Sequence, residues 1–345
     1  TTFYSMSDIS GINASNLQCW FNEHAEGVIN DLSFTPVVGG HSNLTYIVTD
    51  QSSQKWVLRR PPLGHVLATA HDMSREHKII SALSDSGVPV PGVIGLCEDL
   101  EINDAPFYVM NFVPGVILRT RPEAEKLSVE VRKKMGHSLV ETLAGIHAVD
   151  VDAVGLGDLA RREGYIERQL KRWRQQFVDG TTREIPQILE VHELLAARVP
   201  EQQGVSIVHG DYRLDNCMMS TEGPVAAVLD WELCTLGDAL ADLAGMISSI
   251  SSHVDGSGEL ASTTEGFPTA MEIRQIYSEH SDRDLTHLDF YVAFNFWRMA
   301  CIVEGVYTRY AAGVMGEIDE ASISAFGNRV IILADLAAET LNGMK

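Results

Sequence analysis

The sequence predicts an α+β protein in two parts, a β-rich N-terminal lobe and a mostly helical C-terminal lobe. Short β-type runs separated by turn residues dominate the first third of the 345-residue chain. After Pro114-Gly115, apolar residues recur every three or four positions, which is the helical period. One β-hairpin interrupts the helical part. The two predicted domains are therefore residues 1–113 and 114–345.

In the N-terminal lobe, the turn chemistry defines three strands and one helix. The helix is predicted between Thr69 and Ser86, where apolar residues recur at helical spacing and Gly87 is a typical stop. The strands are short β-type runs, two of them flanking a polar turn and the third ending at Pro114-Gly115: Thr45–Thr49, Lys55–Arg60 and Phe107–Val113.

In the C-terminal lobe, long amphipathic patterns predict helices around Leu127–Ile146, Phe290–Tyr310 and Ile318–Leu341. Trp297 and Arg298 lie within the second of these. They could line a substrate cleft, although aromatic residues at helical spacing belong more often to the core.

The hairpin follows a short buried strand, Val205–Val208. Its two strands, Cys217–Ser220 and Val225–Leu229, are joined by a turn near Gly223. In an antiparallel hairpin centred there, Asn216 lies across from Asp230.

Composition narrows the function classes. With 26 Lys and Arg against 47 Asp and Glu, the formal net charge of −21 argues against nucleic-acid and membrane partners. The five cysteines form no CxxC pair, which favours reduced thiols and a cytoplasmic location. No uninterrupted apolar run reaches the roughly 18 residues of a membrane span, and the histidines lack the spacing of a zinc site.

The segment His209–Asn216 carries the strongest chemical signal. It fits H-x-D-x-x-x-x-N, the spacing of a kinase catalytic loop. Asp211 is the candidate base that accepts the proton of an attacking hydroxyl, and Arg213 is a second candidate catalytic residue. Asn216 and Asp230 offer the hard oxygen ligands that Mg²⁺ prefers. The alternative, that the turn merely caps a strand, is weakened by the full octet and the aspartate after the hairpin.

The N-terminal lobe offers candidate nucleotide ligands. A Gly-Gly turn could expose backbone N–H groups to phosphates, although such pairs form ordinary hairpin turns at least as often. Arg59 could hold the α- and β-phosphates, with Val57 beneath the adenine and Glu76 orienting the cation; alternatively, Arg59 and Glu76 are solvated surface residues. The candidate cofactor-binding residues of this lobe are Gly40, Ser42, Asn43, Val57, Arg59 and Glu76.

These motifs together resemble the aminoglycoside phosphotransferase/choline kinase-like family along nearly the whole chain. The resemblance is strongest to the kinase-like domains joined to acyl-CoA dehydrogenases. It is carried by Gly39–Asn43, Val57–Arg59, Glu76, Val109–Gly115, His209–Asn216, Asp230–Glu232 and Gly237–Ala244.

The resemblance implies a protein-kinase-like bilobal fold with ATP in the cleft. It also implies that Asn111 and Val113 bind adenine through backbone groups and that Asp238 and Asp242 brace the catalytic region. Two features depart from many kinases. Arg59 replaces the usual lysine, with Arg60 as an alternative if the strand register shifts, and the metal aspartate lies in Asp-Trp-Glu.

The acceptor is less well defined. Six of the 26 basic residues fall between Arg161 and Arg174. This basic cluster is either a solvated helix face or a patch for an anionic substrate. The dehydrogenase-linked resemblance suggests a hydroxyacyl-CoA and functional pairing with an acyl-CoA dehydrogenase. A polycationic aminoglycoside, a choline-like acceptor and a pseudokinase without turnover remain alternatives.

Overall fold

The computed structural model describes residues 9–29, 31–37, 43–64, 72–251, 260–314 and 318–344. The chain divides into two compact units, one of residues 1–115 and 226–232 and the other of residues 116–225 and 233–345. Segment 226–232, predicted to belong to the C-terminal lobe, therefore groups with the first unit. Hydrogen bonding explains this, since the Val228 N–H donates to the Pro89 carbonyl at 2.8 Å.

The first unit, here called the sheet unit, is built on a five-stranded antiparallel sheet in the order β1-β2-β3-β5-β4. Its strands are β1 Ser33–Pro36, β2 Leu44–Thr49, β3 Lys55–Arg60, β4 Val93–Cys97 and β5 Phe107–Asn111. Its helices are α1 Ala14–His24, α2 Met73–Leu83 and α3 Leu100–Asn103.

Alternation along β3 determines which side chains reach the core and which face the candidate site. Trp56 and Leu58 are buried, whereas Val57 and Arg59 lie on the opposite face and are half-buried. The Phe21 ring of α1 packs edge-on against Trp56, with ring centroids 5.6 Å apart. Burial of such a side chain contributes about 1.5–3 kcal/mol, so this contact anchors α1 to the sheet.

The second unit, here called the helical unit, contains most of the helices. They are α4 Arg121–Ala124, α5 Val129–Ala148, α6 Tyr165–Gly180, α7 Pro186–Ala196, α8 Ala239–Ser251, α9 Ala270–Glu279, α10 Leu288–Ala311 and α11 Glu320–Gly343. The later strands are β6 Ser206–Val208, β7 Cys217–Met219, β8 Val225–Val228 and β9 Thr235–Gly237, and the boundary between units falls within β8. Strands β6 and β9 pair antiparallel.

The predicted turn between β7 and β8 is confirmed. The Ser220 N–H donates to the Pro224 carbonyl at 2.8 Å, and the Gly223 N–H donates to the Ser220 carbonyl at 3.0 Å. Gly223 has φ +127°, a conformation that favours glycine, and this requirement is why a glycine marks the turn in the sequence.

Helix α10 forms the centre of the helical unit and packs against α6, α7, α8 and α11. The aromatic side chains of its N-terminal half are almost fully buried, and the Trp297 indole N–H donates to the Ile188 carbonyl at 2.9 Å. Trp297 is thus a core residue, as its helical spacing predicts.

Helix α11 is the one described helix that is long and apolar enough, by length and composition, to cross a membrane. Its apolar residues do not form one uninterrupted run, because Asp335 and Glu339 lie among them. Val330, Ala334 and Leu341 on its inner face are buried at helical spacing. This pattern is typical of a helix packed on a core, and length and composition alone say little about a membrane.

Candidate active site

The catalytic loop begins where β6 ends, with His209-Gly210-Asp211. Gly210 has φ +89°, and a Cβ atom there would lie 2.9 Å from the Leu233 carbonyl oxygen. Both the backbone conformation and the close approach require glycine. The sequence therefore turns sharply after a buried strand and brings Asp211 to the surface.

The Asp211 carboxylate is held in place but remains accessible. The Asn216 amide donates to both the backbone oxygen and Oδ2 of Asp211, each at 2.8 Å. Arg213 Nε lies 3.5 Å from Asp211 Oδ1, and its Nη2 is 2.9 Å from Asp215. The Asp211 side chain is 43% exposed, which leaves it open to a substrate hydroxyl. The predicted group of Asp211, Arg213 and Asn216 is thus brought together.

Behind the loop, Asp242 on α8 binds its backbone. The Asp242 carboxylate accepts hydrogen bonds from the N–H groups of His209 at 2.5 Å and Gly210 at 2.9 Å. Asp238 is the first residue before α8 and accepts from the Leu240 N–H at 3.1 Å and the Tyr291 hydroxyl at 2.6 Å. Both aspartates are buried. Asp242 braces the loop directly, as the resemblance implies, whereas Asp238 binds the start of α8 to α10.

His147 completes this support from α5. Its Nδ1 lies 2.8 Å from the Tyr277 hydroxyl, and its Nε2 is 3.6 Å from Asp242 Oδ2. Burial lowers the pKa of His147. Burial would raise the pKa of Asp242, but His147, His209 and the Gly210 N–H outweigh it and keep that pKa below its ordinary value. The pair therefore consists of a neutral imidazole beside a carboxylate.

In the sheet unit, Arg59 lies at the centre of a cluster of carboxylates. Its Nε is 3.1 Å from Glu76 Oε2, and its Nη2 is 2.5 Å from Asp230 Oδ1. Glu76 also accepts from the Tyr108 hydroxyl at 3.0 Å and from the Asn43 amide at 2.9 Å. Burial raises the pKa of Glu76 to about 7, against the opposite pull of Arg59. The predicted contact between Arg59 and Glu76 is therefore present.

Arg60 points to the other face of β3. Its guanidinium donates to the carbonyl oxygens of Gly11 at 2.6 Å and Asn103 at 3.2 Å. The register Thr45↔Arg59 and Leu44↔Arg60 thus leaves Arg59, and not Arg60, on the face with Val57 and the carboxylates.

Asp230 follows β8 and has φ +65°, in the left-handed region where aspartate is tolerated better than most residues. Besides Arg59, the cluster contains Glu232, whose Oε2 is 3.6 Å from Arg59 Nη2. Glu232 and Tyr108 are not predicted as site residues from the sequence. Their contacts with Arg59 and Glu76 depend on tertiary packing, and the one sequence signal is that Glu232 lies two residues after Asp230.

The remaining predicted nucleotide ligands are placed as follows. Asn111 ends β5, and its N–H donates to the Gly92 carbonyl at 2.7 Å, so this donor is not free to bind a base. Val113 lies two residues beyond the strand. The predicted residues Gly40 and Ser42 lie outside the described residues.

Two predicted metal ligands suit Mg²⁺ by donor chemistry. Asn216 uses its amide nitrogen to bind Asp211, which leaves its Oδ1 as an oxygen donor, and Asp230 uses Oδ1 for Arg59, which leaves Oδ2. Hard oxygen donors of this kind are what Mg²⁺ prefers. Among the described residues there is no cluster of three or more His, Cys, Asp or Glu side chains that could hold a metal. Mg²⁺ commonly binds through one or two carboxylates together with phosphate and water ligands.

A cavity of about 130 Å³ lies beside Asp211 within the helical unit. Its wall includes Asp211 and Arg213 of the loop, Asn295 and Arg298 of α10, and Arg329 of α11. Of the α10 and α11 residues, the sequence indicated only Arg298, as one of two cleft candidates. The others could not be found from periodicity, because it identifies buried faces and not the polar residues at their edges.

Comparison with known proteins agrees with this architecture. The profile of the phosphotransferase enzyme family matches residues 33–269. Acyl-CoA dehydrogenase family member 10 of Mus musculus is 36% identical over 321 residues, which cover 91% of this chain and 29% of that protein. The chain thus spans less than half the length of the curated relatives it matches.

Solved structures share the fold. A candidate aminoglycoside phosphotransferase from Ralstonia eutropha is 32% identical with a TM-score of 0.81, over 96% of this chain and 98% of that one. Choline kinase from Cryptosporidium parvum is 11% identical with a TM-score of 0.66, over 95% and 96% of the two chains. Other structures with this fold contain GDP, ADP or ATP. The fold is therefore protein-kinase-like, and the chain belongs to the phosphotransferase enzyme family.

Proposed function

We propose that this protein transfers the γ-phosphate of ATP, in the presence of Mg²⁺, to a hydroxyl group of a small-molecule acceptor. The observation that carries the proposal is the Asp211 carboxylate, fixed by Asn216 at 2.8 Å and exposed on the wall of a cavity. A carboxylate in that position can orient a hydroxyl and receive its proton. Membership of the phosphotransferase enzyme family supports the same reaction class.

The proposed step forms a bond between the acceptor oxygen and the γ-phosphorus and breaks the bond to the bridging oxygen of ADP. The hydroxyl proton passes to Asp211, and ADP leaves with the bond electrons. Such transfers ask the protein mainly for positioning and charge neutralisation. Asn216 positions Asp211, while Asp242 holds the loop backbone that carries it.

On the nucleotide side, Arg59 is assigned to the α- and β-phosphates. Glu76 and Tyr108 restrict its orientation, and arginine offers phosphates a planar, forked set of donors. Asn216 and Asp230 are assigned as Mg²⁺ ligands, and the metal would neutralise negative charge on the phosphates. Val57 and the backbone at Val113 remain the assigned contacts of the adenine.

The acceptor is proposed to be a hydroxyacyl-CoA. Relatives named acyl-CoA dehydrogenase family members support a chemical connection to acyl-CoA, and functional pairing with such a dehydrogenase is part of the proposal. The basic cluster supports it in part. Arg162 pairs with Asp152, and Arg168 donates to carbonyl oxygens of its own segment, whereas Lys171 and Arg172 have no ion pair within the described residues.

The test of the base is Asp211→Asn. We expect kcat to fall by ~10²–10⁴ with ATP affinity retained, because the amide keeps the shape of the side chain but cannot accept the proton. Asp282→Asn, which changes an exposed aspartate of the helical unit, is the matched control. Turnover by Asp211→Asn near that of the control would show that Asp211 is not the base.

The acceptor is tested by ATP consumption with a panel of hydroxyacyl-CoA compounds, aminoglycosides and choline, followed by mass spectrometry of the products. A phosphorylated hydroxyacyl-CoA is the expected result. Turnover on an aminoglycoside or choline alone would replace the acceptor and keep the reaction class. ATP binding with neither acceptor turnover nor slow Mg²⁺-dependent hydrolysis would identify a pseudokinase.

A further inference from the structure

The cavity beside Asp211 has a cationic side that the proposed phosphotransfer step does not use. Its volume of about 130 Å³ is similar to that of protein cavities that hold one small ring, so it can admit a compact group. Arg298 on α10 and Arg329 on α11 line this side, and Asp211 lines the same cavity. The cavity therefore brings together a carboxylate base and two guanidinium groups.

No acidic side chain among the described residues pairs with either arginine, and the Nε atom of each is buried without a hydrogen-bond partner. The Nε of Arg121 is also without a partner, although its Nη2 donates to the Thr263 hydroxyl at 3.3 Å, whereas two other partly buried arginines of the helical unit are satisfied. Arg183 pairs with Glu304 at 2.6 Å, and Arg283 donates to the His147 carbonyl at 3.0 Å. A buried donor without a partner is costly, so the two open donors indicate that a ligand supplies their acceptors.

Asn295 adds a second unsatisfied group to the same cavity. The residue is 4% exposed, and its amide nitrogen donates to the Ser248 hydroxyl, but its Oδ1 is buried without a partner. An amide oxygen accepts hydrogen bonds, so it suits a hydroxyl or N–H group of a ligand. The cavity thus offers the two guanidinium groups of Arg298 and Arg329 and one neutral acceptor in addition to Asp211 and Arg213.

We infer that Arg298 and Arg329 bind an oxyanion of the acceptor, a carboxylate or a phosphate, while its hydroxyl faces Asp211. This inference rests on the proposed phosphotransfer step and names the recognition chemistry of the same site. It is separate from the proposal of a hydroxyacyl-CoA, whose phosphates lie far along the molecule from its acyl hydroxyl. Forked guanidinium donors match both oxyanions. A polycationic acceptor would have to approach the guanidinium groups of Arg298 and Arg329, which makes it a poor ligand for this side of the cavity.

The experiment compares charged and neutral probes of similar size. Binding to the full chain is measured by calorimetry without ATP for hydroxybutyrates with the hydroxyl at each carbon, for glycerol phosphate and for the neutral hydroxybutyramides. KM for each probe and for ATP is then measured in a coupled assay. The variants are Arg298→Gln and Arg329→Gln, with Arg309→Gln as the control, because Arg309 lies exposed on α10 and does not line the cavity.

We expect a charged probe to bind the wild type more tightly than the amides do. Each cavity variant should weaken charged-probe binding about tenfold or more, the loss typical of one charge-assisted hydrogen bond, with KM for ATP unchanged. Arg298→Lys and Arg329→Lys keep the charge without the fork and should show an intermediate loss, which guards against misfolding of the glutamine variants. The preferred charged probe identifies carboxylate or phosphate as the source.

Either of two binding results overturns the inference: equal binding of charged and neutral probes, or no binding of any charged probe. Phosphorylation of a neutral acceptor with unaltered KM in both cavity variants would also overturn it while leaving the phosphotransfer proposal intact. Conversely, the charged probes could bind through both arginines while the protein phosphorylates none of the acceptors. That result would support the anion site and contradict the proposed function.

Discussion

At the scale of single residues, the backbone conformation of Asp230 links chemistry to stability. Only a few non-glycine residues described in this chain have positive φ, and Asp230 is the one that also contacts Arg59. Aspartate and asparagine tolerate the left-handed region because their short side chains can hydrogen-bond locally. The proposed metal ligand is therefore constrained by the backbone as well as by its carboxylate.

Asp230→Ala should abolish Mg²⁺-dependent ATP binding, because it removes the anionic oxygen donors, and Asp230→Asn should weaken it severely. The alanine variant should in addition be less stable than the asparagine variant by about 1 kcal/mol, the cost of a left-handed Cβ-bearing residue. Calorimetry of Mg·ATP binding and urea unfolding measure the two effects.

Asp104→Ala is the matched control, because Asp104 also has positive φ, at +55°, but lies at the end of α3. It should show the stability loss without the loss of Mg·ATP binding. Unchanged Mg·ATP affinity in Asp230→Ala would remove Asp230 from the metal site.

At the scale of elements, the catalytic loop depends on α5 and α8 behind it. Two backbone N–H groups of the loop bind one carboxylate of α8, and that carboxylate faces a histidine of α5. The position of Asp211, the proposed base, is thus set by two helices far apart in sequence. We therefore expect protonation of this histidine or of Asp242 to lower the free energy of unfolding before it affects the rate of turnover.

His147 should make the protein less stable as the pH falls. In the unfolded chain its imidazole takes up a proton at about pH 6.5, whereas burial in the folded state lowers its pKa. The unfolded state then binds more protons, so the free energy of unfolding decreases as the pH falls below about 6.5. The lowered pKa of Asp242 acts in the same direction at still lower pH.

Urea unfolding at pH 7.5, 6.5 and 5.5, a range chosen around the ordinary histidine pKa of about 6.5, tests this effect. His147→Gln should lose less stability than the wild type across the series. His137→Gln, at an exposed position of the same helix, should follow the wild type. Equal pH slopes in His147→Gln and the wild type would contradict the assigned role.

Much of this element plan is predictable from the sequence. The bounds of β3 are those predicted, because alternation and flanking turn residues define a strand locally. The predicted strand Phe107–Val113 ends earlier, at Asn111, whose N–H turns to the Gly92 carbonyl. Arg298 and Arg329 could not be paired from the sequence, since only the packing of α10 on α11 places both at one cavity.

At the scale of the whole molecule, a net charge of −21 creates a field that repels anions, so an anionic acceptor needs local positive charge. The basic cluster on α6 provides an exposed example. Arg168, Lys171 and Arg172 line an open groove together with Gln175 and Asp179. The groove and the cavity share no lining residue, so the contribution of each to acceptor binding can be tested by its own substitutions.

Arg172→Glu should raise KM for a hydroxyacyl-CoA much more than KM for ATP, because arginine can bind the phosphates of CoA in forked pairs. The effect should shrink at high salt, since exposed charges are screened within about 10 Å at 0.1 M. Steady-state kinetics at two salt concentrations measure it.

Arg174→Glu has the same change in net charge on the same helix but lies outside the groove. A rise in KM that is equal in both variants would reflect the mean field of the protein and not a contact at Arg172.

The division of the chain into units has a consequence for the design of protein fragments. The sequence passes from one unit to the other after residues 115, 225 and 232, so the units are interleaved and not consecutive. A fragment ending at 115 would lack Asp230, and with it one carboxylate partner of Arg59, and also the Val228 N–H that binds Pro89. Fragment expression or domain exchange therefore requires residues 226–232 to be grafted with the N-terminal fragment, because no single cut separates the two units.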